Sequence, residues 1–381
     1  MSDDRKQILK PLNKNKKSFM QILKNYRTWL CALLLLSPVV HGQVPDRLEA
    51  PALQTPAAKQ SLLLSITSAG QRLVAVGDQG VILLSDDAGL TWQQAEVPVS
   101  TLLTAVYFAD EQNGWAVGHD GVVLRTQDAG NHWQLLLQGE QINQLRIAHY
   151  EEQLESLQQD PEADPFELEE LEFALEDAEF AAEDGPVNPL LNVWFQDTQT
   201  GFILGAYGLL MKTADGGHNW QFLTDTLPNP DRYHLNHLIE HQGALFIAGE
   251  AGLLLRSDDG GESWYELASP YMGSLFALVE HQDELLLLGL RGNLFRSMDL
   301  GDSWQAVMTG SRASLLSGRS AEGRLLLVGL GGTLLSGPGS QNLQLLDGGQ
   351  RRALSGVVMA DDHWVLVSEQ GPMRLPLEGV N

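Results

Sequence analysis

STLLTAVYFADEQNGWAVGHDGVVLRTQDAGNHWQLLLQ, residues 100–138, holds four short apolar runs separated by turn residues. Each run has the length of a strand, the breaks between them carry Asp, Asn and Gly, and no 3.6-residue apolar period runs through the segment. It therefore reads as four antiparallel strands, one blade of a β-propeller. Two signatures inside it recur along the chain. One is G-x-x-G followed by an apolar run, and the other is an octamer, [ST]-x-D-x-G-x-x-W.

The octamers are SDDAGLTW (85–92), TQDAGNHW (126–133), TADGGHNW (213–220), SDDGGESW (257–264) and SMDLGDSW (297–304). The paired glycines are Gly77/Gly80, Gly118/Gly121, Gly205/Gly208, Gly249/Gly252, Gly289/Gly292 and Gly329/Gly332, and a faint last copy places Ser368/Gly371 in the same phase. Their first members are separated by 41, 87, 44, 40, 40 and 39 residues, a period that belongs to radial repeats. The expected fold is all-β, a seven-bladed propeller. Its last blade lacks an outer strand, and residues from about 45 to 57 are expected to supply it, pairing an otherwise open edge.

The interval of 87 contains an insertion. Residues 140–185 carry 16 Asp/Glu and one Arg and neither signature, and removing them restores the ordinary period. Leu168, Leu171, Leu175, Ala178 and Ala182 fall at helical spacing, and DPEADP (160–165) breaks that run from an earlier one at about 141–159. The insertion reads as an acidic two-helix hairpin between blades 2 and 3. It is expected to add little to the propeller core, and its apolar stripe either closes the hairpin on itself or docks a basic groove.

Within the octamers, Ser85, Thr126, Thr213, Ser257 and Ser297, together with Asp87, Asp128, Asp215, Asp259 and Asp299, are expected to accept turn N–H groups between the third and fourth strands. Gly89, Gly130, Gly217, Gly261 and Gly301 supply positive φ, and Trp92, Trp133, Trp220, Trp264 and Trp304 cover the hairpins. A catalytic residue is needed once, so five copies of one constellation read as a structural part. The residue before the octamer is Leu84, Arg125, Lys212, Arg256 or Arg296. The four cations form either stems packed on neighbouring Trp rings with paired heads, or a contact line for an acidic segment of a partner.

The N-terminus is basic, with eight Lys/Arg against two Asp in residues 1–27, and is followed by the 13-residue apolar run TWLCALLLLSPVV. That run is short for a membrane span, and residues 1–42 read as a secretory signal cleaved before Gln43, leaving the propeller domain as 43–381. An uncleaved anchor is the other reading. The lone cysteine, Cys31, lies in the signal, so the exported part has no disulfide. Without the leader, 16 Lys/Arg stand against 47 Asp/Glu, a net charge of −31 that disfavours nucleic acid and anionic lipid surfaces and suits a protein partner.

The octamer resembles the Asp-box, or bacterial neuraminidase repeat, and its pairing with the G-x-x-G run resembles the photosystem II stability/assembly factor family. The resemblance covers about residues 61–375 outside the insertion. It implies a non-catalytic, exported scaffold, periplasmic in a Gram-negative host, that assists assembly or stability of a membrane protein complex. The insertion and GPVNPLLNVWFQDTQTGFILGAYG (185–208) are most similar to proteobacterial members found beside resistance-nodulation-division transporters. No cofactor is expected. The alternative is a sialidase-like glycosidase, which needs three clustered arginines and a Tyr–Glu pair, for which Tyr207, Tyr233 and Tyr271 are the available tyrosines. His234, His237 and His241 are weighed as metal ligands, but on a strand His234 and His237 point to opposite faces. Asp86/Asp87 and Asp258/Asp259 are weighed for calcium, with solvated turns the better fit.

Overall fold

The computed structural model describes residues 46–183, 185, 188–346 and 351–377; the leader, Cys31 and the cleavage site expected before Gln43 lie outside them. From Asp46 onward the chain forms a compact unit. Among the described residues seven antiparallel sheets follow one another with strands in sequential order, six of four strands and one of three. Blade 1 runs Leu63–Ala69, Arg72–Gly77, Ile82–Ser85, Gln93–Gln94, and blade 2 Leu103–Phe108, Gly114–Gly118, Val123–Thr126, Gln134–Leu137. Blade 3 starts at Leu190–Phe195, blade 4 at Leu235–His241, blade 5 at Leu275–His281, blade 6 at Leu315–Ala321, and the three-stranded blade 7 at Leu354–Ala360.

The second strand of each blade is a nearly continuous apolar run, such as RLVAVG, ALFIAG, ELLLLG and RLLLVG, because it is covered on both faces by neighbouring blades. The first strand of every blade packs on the first strand of the next, and Leu354–Ala360 packs on Leu63–Ala69. Val358, Val365 and Val367 of blade 7 share one buried cluster with Leu63, Ile66 and Leu73 of blade 1, and Ser355 Oγ donates to the Leu63 carbonyl at 2.6 Å.

The N-terminal residues depart from expectation, since none of those described joins blade 7 as a strand. They run beside the link from blade 1 to blade 2: Ala52 N donates to Val97 O at 3.0 Å, Ser100 N to Arg47 O at 2.8 Å, and Gln54 Nε2 to Ala95 O at 2.8 Å. Pro51 and Pro56 lack the N–H that a strand ladder requires. Only the 3-10 turn Pro56–Gln60 reaches the last strand of blade 7, where a Cβ on left-handed Gly371 would sit 2.0 Å from Lys59 O.

Each G-x-x-G is the turn between second and third strands. A Cβ on Gly77 would lie 2.0 Å from the Leu62 carbonyl, so the first glycine serves close backbone approach. The third position is left-handed throughout: Gln79, Asp120, Tyr207, Ala251, Arg291 and Gly331 have φ between 52° and 65°.

Two helices, α1 (Gly139–Gln158) and α2 (Pro165–Glu183), connect blades 2 and 3. Gln138 and Gln141 cap α1 reciprocally. The hairpin is not appended to the ring, as the charge of the insertion suggested, but contributes to its core. Ile142, Tyr150 and Ala178 are buried in one cluster with Trp220 and Phe222 of blade 3, and Leu171 and Leu175 pack on it. Tyr150 donates to Asp225 Oδ1 at 2.8 Å, His149 Nε2 lies 3.0 Å from Asp225 Oδ2, and Arg146 ties α1 to Asp177 of α2 at 2.7 Å.

Candidate functional site

The five octamers form the hairpins between third and fourth strands and share one hydrogen-bond pattern. The first hydroxyl donates to the Asp Oδ1 at 2.7–3.0 Å and accepts from the octamer glycine N–H at 2.8–2.9 Å. The same Oδ1 accepts from the backbone N–H of the seventh residue at 2.8–3.0 Å. That seventh residue, Thr91, His132, Asn219, Ser263 or Ser303, also places its side chain 2.5–2.6 Å from Oδ2. Sequence reasoning left this position open, although a polar donor stands there in every copy.

These contacts favour the ionised carboxyl. The Thr91 hydroxyl, then its backbone N–H, hold Asp87 at about 2; the Asn219 side chain does the same for Asp215, and Ser263 and Ser303 lower Asp259 and Asp299. Indole N–H groups of Trp92, Trp133 and Trp220 donate to the carbonyls of Gly89, Gly130 and Gly217 at 2.9–3.1 Å. Those of Trp264 and Trp304 are buried without a hydrogen-bond partner among the described residues.

The basic row lies one residue before each octamer and reaches forward to the next blade. Arg125, Lys212 and Arg256 sit directly across from Trp115, Phe202 and Phe246 of the preceding strand, with each cation 5.4–5.8 Å from its ring centre. Trp115 Nε1 donates to Gly216 O at 3.0 Å while Arg125 meets His218 at 2.9 Å. Lys212 bonds Gly260 O and Glu262, and Arg256 bonds Leu300 O while pairing with Asp258.

In blade 1, where Leu84 holds the position, Arg72 on the adjacent strand takes over and bonds Ala129 O and Asn131 of the second octamer. Arg296 pairs with Glu284 and Gln305, and accepts no octamer because blade 6 has none. It faces Gln341 instead, whose amide oxygen, turned toward it, receives NH1 at 2.7 Å. The octamer glycines fit under these pairs; a Cβ on Gly261 would come within 2.5 Å of the Phe202 ring. Arg125, Lys212, Arg256 and Arg296 are thus largely covered and engaged between blades rather than forming a free belt of charge.

The histidines weighed as ligands are spread apart. His234 Nδ1 accepts from Tyr207 N at 3.0 Å, His237 Nδ1 faces the Leu278 N–H at 3.4 Å, and buried His241 lies 3.4 Å from Glu280. Enclosure between the first strands of blades 4 and 5 lowers the His237 pKa to about 4, from an ordinary 6.5. A lowered pKa means stability that is complete above about 6.5 and lost progressively as pH falls to about 4. The melting temperature should fall over that window in the native sequence and fall less in His237→Gln; superimposable pH profiles would remove His237 as the cause. Below pH 4 both proteins should weaken together as the octamer carboxylates protonate.

Among the weighed acidic pairs, Asp86 is held by Arg72 and Asp258 by Arg256 and Tyr265, while Asp87 and Asp259 serve their hairpins. Tyr207 is exposed and edge-on to His234, Tyr271 packs against Phe295, and Tyr233 has its pKa raised, chiefly by the negative charge of Asp231. A tyrosine nucleophile needs the opposite shift.

Seven sheets in radial order, with the octamer hairpin gripped by the preceding blade, define a β-propeller of the neuraminidase-repeat class. The chain belongs to the family described as photosynthesis system II assembly factor YCF48, whose model matches residues 84–149 and 177–369. Among solved structures, YCF48 bound to a D1 peptide is similar at 15% identity, covering 84% of this chain and 94% of that one with a TM-score of 0.59. YCF48 from Cyanidioschyzon merolae is similar at 14% identity, covering 86% and 99%, with a TM-score of 0.59. The extracellular domain of a hybrid two-component system from B. thetaiotaomicron gives 10% identity over 83% and 40%, with a TM-score of 0.58. A search of curated proteins gave no match.

Proposed function

We propose that the protein is an exported, non-catalytic propeller that holds a polypeptide segment of a membrane protein complex during assembly or stabilisation. The observation that carries this reading is family membership, together with a solved relative that is bound to a peptide. The leader of residues 1–27, with its eight Lys/Arg and the apolar run after it, supports export, to the periplasm in a Gram-negative host. In a host without a photosystem, a transporter of the resistance-nodulation-division type is the proposed complex. The engagement of the octamer carboxylates and rim arginines, and the raised pKa of Tyr233, support the non-catalytic reading over a glycosidase.

The proposed contact face is the end of the ring formed by the G-x-x-G turns. Tyr207, Arg291 and Leu330 project there, two of them from left-handed backbone, a conformation kept where the surrounding fold enforces it. A photo-crosslinker placed at Tyr207 or Arg291 of the full chain, expressed in its host, should capture one integral membrane subunit from the exported compartment. Capture should drop at least several-fold when the other residue is changed, as in Tyr207→Ser or Arg291→Glu. Turnover of sialosides by the purified protein, or recovery in the cytoplasmic fraction alone, would overturn the proposal.

A further inference from the structure

Helix α2 has two apolar sides. One, formed by Leu171, Ala174, Leu175 and Ala178, packs on α1 and blade 3. The other is a row of three phenylalanines seven residues apart, Phe166, Phe173 and Phe180, which are 64, 71 and 65% exposed. At 100° per residue Phe173 lies about 160° from both Leu171 and Leu175, on the opposite side of the helix, and the row extends roughly 21 Å along its axis. The segment FELEELEFALEDAEFAAE lines one side of this row with acids, Glu169, Glu176 and Glu183 three residues after each Phe and Glu172 and Glu179 one before the last two, while Glu167 and Glu170 stand on its other side near Phe166. All of these are exposed, and α2 contains no Lys or Arg.

This row does nothing for the ring. Large aromatic side chains left in water over about four helical turns are uncommon on a monomer's surface and mark contact sites. The surrounding charge decides what fits. A second copy would bring the same acidic flanks together, and an acidic or neutral segment would leave them uncompensated as water is excluded. We propose that the outer face of α2 docks a basic amphipathic helix of a partner protein, its apolar side on Phe166, Phe173 and Phe180 and its Lys/Arg on the acidic edge formed by Glu169, Glu172, Glu176, Glu179 and Glu183. Opposite charge speeds encounter, and the aromatic row sets residence time. The inference stands independently of what the G-x-x-G end of the ring holds.

The test uses the full chain and three synthetic helical peptides: one with Leu every seven and three or four residues flanked by Lys, one with the same Leu pattern flanked by Glu, and one with Lys but Ala for every Leu. The basic amphipathic peptide should bind, with affinity falling as salt rises, and the other two at least ten-fold more weakly. The triple change Phe166→Ser, Phe173→Ser, Phe180→Ser should weaken binding at least ten-fold while leaving the melting temperature and circular dichroism unchanged, because these side chains touch no core. Equal binding of the Ala and Leu peptides, or an unaffected triple variant, would overturn the proposal. So would sedimentation showing that the row joins two copies of the chain. Phenylalanines shielded in the full chain but freed on removal of residues 1–42 would also overturn it, since the occupant would then be the chain's own basic leader.

Discussion

Trp220→Ala lowers the free energy of unfolding by about 3–5 kcal/mol, the usual cost of emptying a buried aromatic site. The ring is nearly fully covered, donates its N–H to Gly217 O at 3.0 Å and meets Phe195 edge-on at 6.4 Å. It also touches the cluster that receives Tyr150 from α1, so its removal loosens a blade and a helix at once. Trp304→Ala should cost less, because that indole is only half-buried and makes no hydrogen bond among the described residues. Urea titration of both variants checks the ranking; equal midpoints would mean that the indoles merely fill space and that their contacts carry no weight.

Replacing residues 140–183 by a Gly/Ser linker destabilises the propeller rather than leaving it intact. The hairpin buries Ile142 and Tyr150 against Phe222 and Trp220, and linker residues leave that apolar surface in water. Tyr150→Ala alone should cost about 3–5 kcal/mol. Tyr150→Phe should cost about 1–3 kcal/mol through the lost hydrogen bond to a charged partner, Asp225. The linker variant should fall below Tyr150→Ala in thermal unfolding, with blade 3 the first region to lose amide protection. A linker variant that unfolds with the native midpoint would show that the hairpin only rests on the ring.

The blade count was legible because the two signatures recur at a fixed period, and period is a local property. The role of Asp87 and its counterparts was legible for the same reason, since its partners lie within four residues. What lay across a blade boundary was not. Nothing local to Arg256 says that its head lands on Leu300 O, forty-four residues on. The helical spacing of Leu168, Leu171, Leu175, Ala178 and Ala182 shows one apolar side of α2, while Phe166, Phe173 and Phe180, equally regular, sit among glutamates that mask them in any averaged hydropathy. Tyr150 offered no signal at all: its value depends on Asp225, which lies 75 residues on, after the last strand of blade 3.

The grip of each blade on the following octamer runs one way only. Val365 and Arg374 of blade 7, themselves a cross-strand pair, close on Gly89 of blade 1, and the same relation passes forward through every blade to Arg296 and Gln341. Between blades 6 and 7 it is not repeated, for the equivalent pair is Leu326 and Ser336 and, among the described residues, blade 7 has no hairpin between third and fourth strands. Among the described residues these grips form a directed series, from blade 7 onto blade 1 and onward to blade 6, within a ring whose first strands pack on one another all the way round. An octamer blade carries both a hand and a handle, so duplicating one keeps every neighbour matched.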